Sequence, residues 1–544
     1  MRDSRAMNRF VLAAVMVVSV SVHAKAPRLT VFISVDSLGS DLFQKNRSHF
    51  KFGLARMVNE GAVVPTVRYD YAEAVTAAGH TTLVTGTNPA RHGIVGNRVL
   101  NRSNGKLEAI FADPGHPALD APLGPDDVSP AALLAETLSD RLRASTLLKG
   151  KSLAISGKAR GAIAMAGRLG DAWWFQEQLG RFITGTWYRK EAPTWVKTFN
   201  DRKPADAYFA KKWELLAPAK DYAGDDDRAQ ESDWYGMTRV FPHPLSGGLP
   251  SAGPQSYSAL ASSPMMNELT VEFAKAGMEA EGLGKDDVPD LLSVSFSSVD
   301  RTFHLYGPNS WEIQDALMRL DKSIGDLIAA AERAAGGRQN LVVVLSADHG
   351  GSNVPEQWAA MGLDGARVYP TTLQKVVDEE LSTKLGLKGA VAVVDETDLY
   401  LDWKVVADKK LDLVAVRRAA AAVLMKQPEV AIAIARDDLG GPDPQGLLKA
   451  LTLGFHPDRS GDVLVVLKPF RVIEVEVGGT SHGSPYSYDA EVPMLLWGRG
   501  VKSVVHPAKV KAVDVAATIA ALMELGNPAS CEGSAVSEVL ALPK

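Results

Sequence analysis

Three aspartates stand after short apolar runs, and three histidines stand beside aspartates or on a glycine-rich segment. Asp36 ends Leu29–Val35 (LTVFISV), Asp300 follows Leu291–Ser298 (LLSVSFSS), and Asp348 follows Leu341–Leu345 (LVVVL). His349 adjoins Asp348, His304 lies four residues after Asp300 in DRTFH, and His482 sits in GGTSHGSPY. Taken singly, an aspartate after a strand is more often a helix cap or a turn residue, and a lone histidine is usually solvated or packed in a core. Together they form a donor set. Carboxylate oxygens and neutral imidazoles suit Zn²⁺, and the single cysteine, Cys531, excludes a thiolate site and an internal disulfide. Three acids and three imidazoles exceed the needs of one tetrahedral zinc. They suit two metals about 4 Å apart, the arrangement that clamps the attacking and leaving oxygens of a phosphoryl displacement.

The elements that must position these groups are legible in the same runs. Short segments apolar on both faces are the signature of central strands in a parallel sheet covered by helices. Helical patterns lie between them at Ser129–Arg143, Trp311–Ala335 and Val513–Leu525. This alternation predicts an α/β fold with a doubly wound, mostly parallel central sheet and helices on both faces. Such sheets bind ligands at the carboxyl ends of their strands, where the three aspartates fall.

Two stretches break the alternation. Residues 190–263 are rich in charge, Gly and Pro, and residues 353–461 carry strand and helix signals of their own. Both read as insertions that cap the carboxyl edge. The core then comprises residues 25–189, 264–352 and 462–544, resuming with Asp462–Leu467 (DVLVVL) and Val492–Trp497 (VPMLLW). Residues 1–24 read as a secretory signal peptide. Arg2, Arg5 and Arg9 precede the apolar stretch Phe10–Val22, and small residues offer cleavage after Ala24 or Ala26. That stretch is shorter than the ~20 residues of a membrane span, so the expectation is an exported protein, periplasmic or secreted, with no membrane association after cleavage.

Composition narrows the classes further. The 544 residues are 46% hydrophobic and 23% charged, which excludes a disordered or fibrous chain. A net charge of −5 without basic blocks argues against nucleic acid as a specific partner. Nothing in the sequence sets the oligomeric state.

The ordered motifs also resemble a family. V-D after the first strand is followed by T-x-x-G-H, T-G-T-x-P-A-R-H-G-I-x-G-N, S-x-K-x-R, D-x-x-x-H, A-D-H-G and S-H-G-S-P. The set is similar to the alkaline phosphatase superfamily, above all to exported bacterial alkaline phosphatases with a threonine nucleophile. Type I phosphodiesterases and nucleotide pyrophosphatases are near relatives. The resemblance implies that Thr76 is the nucleophile. It places one of two Zn²⁺ on Asp36, Asp348, His349 and Thr76, and the other on Asp300, His304 and His482. It directs Asn97, Lys158 and Arg160 to the phosphoryl oxygens of small-molecule phosphate esters. His80 and His92 read as structural, and the aromatic stretch Trp173–Trp195 as packing. Three positions depart from the pattern: Ser37 after Asp36, Ala78 in the nucleophile turn and Ala159 between Lys158 and Arg160. They place rate and specificity in question but remove no ligand.

Lys158 and Arg160 decide the expected substrate. A monoester dianion has a third charged oxygen for them to hold, whereas a diester replaces it with an organic group. The expectation is an alkaline phosphatase acting on monoesters through a phosphothreonine. The alternatives are a phosphodiesterase or nucleotide pyrophosphatase of the same superfamily, and a catalytically decayed exported binding protein. A sulfatase would need a modified Cys or Ser in the nucleophile motif, which is absent.

Overall fold

The structure is a computed structural model that describes residues 26–122, 124–441, 444–473 and 478–541. The signal peptide read at residues 1–24 lies outside the described residues. The first half of the chain contributes strands β1 (Leu29–Val35) and β2 (Ala62–Arg68), helix α1 (Thr76–Thr85), β3 (Ser152–Ser156), α2 (Ala159–Ala166), β4 (Asp171–Gln176) and β5 (Arg181–Ile183). Then come β6 (Asp290–Phe296), α3 (Ser298–Tyr306), α4 (Trp311–Ala334) and β7 (Leu341–Ser346). A later unit holds β8 (Val391–Asp395), β9 (Asp398–Leu401), α5 (Leu413–Leu424), β10 (Val430–Ala435) and β11 (Val463–Leu467). The chain closes with β12 (Glu491–Gly498), β13 (Val504–Val505), β14 (Val510–Lys511) and α6 (Val513–Leu522).

Ten strands form the central sheet in the order β13-β2-β12-β7-β1-β6-β3-β4-β5, with β14 also on β2. The run β7-β1-β6-β3-β4 is parallel. β12 runs against both β7 and β2, and β5 against β4, so the sheet as a whole is mixed. Every residue of β1, β3, β6 and β7 is buried, because helices cover both faces. α2 packs on β3, β4 and β6, and α4 on β1 and β7. The aromatic stretch is largely core. Trp173 and Trp174 are buried, and Phe182 stacks on Phe273 with ring centroids 4.1 Å apart.

Three expectations are corrected. Ser129–Arg143 is not one helix. A 3₁₀ turn at Pro130–Ala132 precedes a helix at Leu138–Ser145, which starts at a capping box between Thr137 and Asp140. That local start signal overrides the longer apolar periodicity.

The core does not resume at Asp462. β11 lies in a separate four-stranded sheet, order β8-β9-β11-β10, and the second insertion therefore runs through Ile473. Its side chains alternate between two small cores. Val463, Val465 and Leu467 join the cluster around α5, while Leu464 and Val466 pack with Ala450 and Leu451. An apolar run covered on both faces looks the same in either sheet.

Residues 190–263 do not form a lid over the carboxyl edge. Their helices Thr194–Asp201 and Pro254–Ala261 pack on the helix Met265–Glu281, and the part between them meets α4, where Trp213 Nε1 and Tyr222 OH donate to the two oxygens of Asp315 at 2.7 and 2.6 Å. Near the edge, Gly479 N–H donates to Gln230 O at 2.6 Å and Ser232 N–H to Leu305 O at 3.0 Å.

The 391–467 unit is tied to the core through Asp462, which is fully buried. It accepts from Arg102 Nη2 at 3.0 Å, Leu401 N at 2.8 Å, Trp403 Nε1 at 2.9 Å and Arg417 Nε at 2.8 Å. Breaking a buried ion pair from one side leaves an uncompensated charge and costs about 3–5 kcal/mol. Asp462→Ala is therefore expected to unfold this unit before the central sheet. Hydrogen exchange checks this, with early loss of protection confined to residues 391–467.

Candidate active site

β7, β1 and β6 are neighbours, and their register aligns Ser34 with Ser295 and Ser346. The residues that follow therefore emerge side by side at the carboxyl edge. Asp36 leaves β1 directly and Asp348–His349 leave β7. After β6 the chain enters α3, which carries Asp300 in its first turn and His304 one turn on, along the same face. Glycine permits two close approaches. A Cβ on Gly79 would sit 2.1 Å from Asp348 O, so α1 lies directly against that loop. A Cβ on Gly350 would sit 2.2 Å from Tyr488 O.

All seven residues read as metal donors meet in this region. His349 Nε2 is 3.2 Å from Asp36 Oδ1 and 3.5 Å from Asp348 Oδ2. Asp300 Oδ1 is 3.4 Å from His304 Nε2 and 3.6 Å from His482 Nε2. Each imidazole turns its other nitrogen to a backbone carbonyl. The Nδ1 atoms of His349, His304 and His482 lie 2.8, 2.8 and 3.1 Å from the oxygens of Gly350, Thr480 and Ala74. A carbonyl can only accept, so Nδ1 carries the proton and the neutral ring presents the Nε2 lone pair to the acids. Lone pairs facing carboxylates call for a cation between them, a metal ion or a proton on Nε2.

Two compact groups of donor atoms result, each within 4.8 Å: Asp36 with Asp348 and His349, and Asp300 with His349 and His482. The first group agrees with the set implied by resemblance. In the second, His349 stands where His304 was expected, while His304 approaches Asp300 from the more exposed side. Asp36 Oδ1, Asp348 Oδ2 and His349 Nε2 are buried without a hydrogen bond, as open coordination positions would be.

Without a metal ion between them, the electrostatics place a proton on His349 in its stead. Burial first, then Asp300 and Asp348, push the Asp36 carboxyl above its ordinary value. Burial opposes charge on His349, but Asp348 outweighs it and pushes the ring up to about 9. His482 stacks on His349 at 3.6 Å between centroids and is held well below its usual value by burial and then by His349. Burial opposes ionisation of Asp300, and Lys158 followed by His304 overcomes it.

Thr76 is the first residue of α1, after Val75 in the capping position, and is 1% exposed. Lys158 Nζ and Arg160 Nη2 lie 3.5 and 3.4 Å from Thr76 Oγ1. Lys158 also pairs with Asp36 at 2.6 Å and with Asp300. Lys158 precedes α2 and Arg160 is its second residue. The helix start turns both cations toward Thr76. Asn97 Oδ1 accepts the Ala77 N–H at 3.0 Å, which leaves its amide nitrogen as the free end. Asn97, Lys158 and Arg160 line a cavity of about 620 Å³ that continues past Phe111, Phe175 and Arg301.

The family model for type I phosphodiesterase / nucleotide pyrophosphatase matches residues 30–485. The chain belongs to the type I phosphodiesterase / nucleotide pyrophosphatase family, within the alkaline phosphatase superfamily. Alkaline phosphatase PafA of Elizabethkingia meningoseptica is 30% identical to it over 528 residues, 94% of each chain. The crystal structure of PafA matches with a TM-score of 0.88 and covers 95% of this chain and 99% of its own. A Myroides odoratus protein named calcium-transporting ATPase is 31% identical over 529 residues, 96% of each chain. Alkaline phosphatase PhoV of Synechococcus elongatus is 30% identical over 520 residues, 94% of this chain and 93% of its own.

Two residues of this family member play more than the sequence reading allowed. His80 was read as structural, yet its Nδ1 lies 2.9 Å from Thr76 O and 3.1 Å from Asp348 Oδ2. It stands between the residue read as nucleophile and a donor acid, and Ser295 Oγ holds its other nitrogen at 2.9 Å. The G-H pair after Thr76 was the available signal. Ser37 was seen only as a departure from pattern, and its hydroxyl donates to Asp300 Oδ1 at 2.5 Å. His92 is structural: Thr82 Oγ1 lies 3.1 Å from Nε2, Ile94 N–H donates to Nδ1 at 3.1 Å, and burial pushes the ring down to about 3.

Proposed function

We propose that the chain is an exported, zinc-dependent alkaline phosphatase that hydrolyses small-molecule phosphate monoesters through a phosphothreonine at Thr76. The observation that carries this reading is the convergence of Lys158 and Arg160 on Thr76 Oγ1, beside two groups of acid and imidazole donors. The names of PafA and PhoV support it. The apolar segment Phe10–Val22 supports export, and among the described residues no helix is long and apolar enough to cross a membrane.

Asp36, Asp348, His349 and Thr76 would hold one Zn²⁺, and Asp300, His304 and His482 the other. The donor chemistry fits, with oxygen and neutral nitrogen donors and no thiolate. When bound, the two ions supply Lewis acidity that stabilises an alkoxide at the attacking oxygen and negative charge at the leaving oxygen. The chain supplies the rest. Thr76 Oγ1 attacks phosphorus and the ester oxygen departs opposite it. Asn97, held by Ala77 N–H, offers its amide hydrogens to a non-bridging oxygen. Arg160 offers paired planar donors to the dianion and Lys158 a point charge. Arg160 Nε is buried without a hydrogen-bond partner, so the guanidinium has donors to spare for phosphate. A water then cleaves the phosphothreonine. The calcium-transporting ATPase name of one relative fits the same chemistry, because the terminal phosphate of ATP also presents three non-bridging oxygens.

The second reading is a phosphodiesterase or nucleotide pyrophosphatase. It is favoured by the family description and by the room in the 620 Å³ cavity for a second organic group. The test compares kcat/KM for an aryl phosphate monoester and the matching methyl diester. The monoester should be preferred, and a diester preference would overturn the proposal. Arg160→Ala sharpens the test, because its described side-chain hydrogen bond is to Thr76 alone. Loss of a charge-assisted contact in a desolvated site costs about 2–4 kcal/mol in the transition state, or roughly 30- to 1000-fold. Monoester hydrolysis should fall by that much and diester hydrolysis by far less. Equal losses would make Arg160 structural.

A further inference from the structure

We propose that Ser37 is a positioning residue that fixes the donor oxygen of Asp300 for the second metal, an inference that rests on the two-metal reading above. Each carboxylate oxygen of Asp300 has one dedicated partner besides the imidazoles. Oδ2 pairs with Lys158, and Oδ1 accepts the Ser37 hydroxyl at 2.5 Å. Oδ1 is also the atom that His304 and His482 face, at 3.4 and 3.6 Å. With both oxygens pinned, the carboxylate cannot rotate, and the remaining lone pair of Oδ1 is directed at the two imidazoles.

Ser37 is placed for this by an uncommon backbone conformation. Its φ is +64°, the left-handed region that favours glycine. A residue chosen only to make this turn would be glycine, so the retained side chain asks for another reason. The hydroxyl supplies it. Ser37 also touches the other donor group, with its N–H on Asp348 Oδ1 at 3.3 Å and its oxygen 3.3 Å from His349 Nδ1. Those contacts are secondary. Any residue keeps the N–H, and His349 Nδ1 already has Gly350 O at 2.8 Å. Removing the hydroxyl should therefore affect one metal and spare the other.

The test is a Zn²⁺ titration of metal-stripped full-length protein against a chromophoric chelator, alongside thermal melting of the metal-free form. Native protein should bind two equivalents. In Ser37→Ala the first equivalent should bind as in the native protein and the second 10- to 100-fold more weakly, the usual cost of losing a residue that orients a ligand. Melting of the metal-free protein should change little, because Ala and Ser bear the same penalty at positive φ. Ser37→Gly relieves that penalty and should melt at or above the native temperature, still with a weakened second site. It also serves if the Ala variant does not fold. The cavity of about 150 Å³ beside Ser37 admits a water in the Gly variant, so its loss should be the smaller of the two. Native-like binding of both equivalents in both variants would make Ser37 a turn residue and overturn the inference. So would equal weakening of both sites, the mark of a general distortion. A native protein that binds no zinc would instead overturn the two-metal reading, and this inference with it.

Discussion

Thr76→Ala is expected to abolish turnover, with kcat reduced on the order of 10³-fold or more, while the zinc content stays near two per chain. The effect follows from what Thr76 contributes and what it does not. In the proposed mechanism it supplies the atom that is phosphorylated, so no burst of phosphoenzyme should form without it. As a proposed metal donor it is one among seven, and Asp36, Asp348 and His349 remain within 4.8 Å of one another. Thr76 is almost wholly buried at the start of α1, and the alanine methyl fits the same space. The fold and Asn97's bond to Ala77 N–H should therefore persist. Acid quench of the native protein during turnover, followed by peptide mapping, reads the assignment directly. Phosphate recovered on a residue other than Thr76 would sink it, as would an undiminished burst in the variant.

The second large effect is expected from removing the metals. Chelation should abolish activity and Zn²⁺ should restore it. The site explains why no other group can substitute. Asp36, Asp300 and Asp348 are buried together, with three imidazoles whose protons are committed to backbone carbonyls. Among the described residues the only ammonium paired with these acids is Lys158, which already serves Asp36 and Asp300. Zinc should stabilise the fold as well, since a ligand that binds only the native state at 1,000 times its Kd contributes about 4 kcal/mol. Melting temperature should rise with added Zn²⁺. His304→Ala and His482→Ala should each retain about one zinc per chain, as measured by elemental analysis. Two retained zincs with full activity in either variant would show that the second group is misassigned. His349→Ala should be worse than either, because His349 belongs to both compact groups.

The legible parts of the site were those encoded within a few residues. The three aspartates could be found because the strands before them are apolar on both faces, and because the carboxyl edge of such a sheet is where ligands bind. The two-metal reading needed only donor types and their number. The partition of the histidines was harder. What aims His304 and His482 is a hydrogen bond to Thr480 O and Ala74 O, 176 and 408 residues away. No local pattern announces such a partner. No capping side chain marks the start of α2, so nothing local shows that it aims Lys158 and Arg160 at Thr76. Ser37 read as a departure because its role lies in a contact to α3, 263 residues away.

The sequence by itself determined which chemistry was available. Its acids, imidazoles and lone cysteine offer oxygen and nitrogen donors, not thiolates, to a divalent metal, and its alternating runs define strands, helices and the edge where acids emerge. These are properties of composition and period, which local sterics and burial impose on any chain. The tertiary structure alone decided who meets whom. It set β7, β1 and β6 side by side, so that Asp348, Asp36 and Asp300 share one site. It sent β11 to the smaller sheet rather than the central one, and folded residues 190–263 along α4 and the helix Met265–Glu281 instead of over the site. The physical reason is the same in each case. Burial of an apolar strand contributes much the same free energy against any apolar surface, so its partner is selected by register, hydrogen bonding and shape across hundreds of residues.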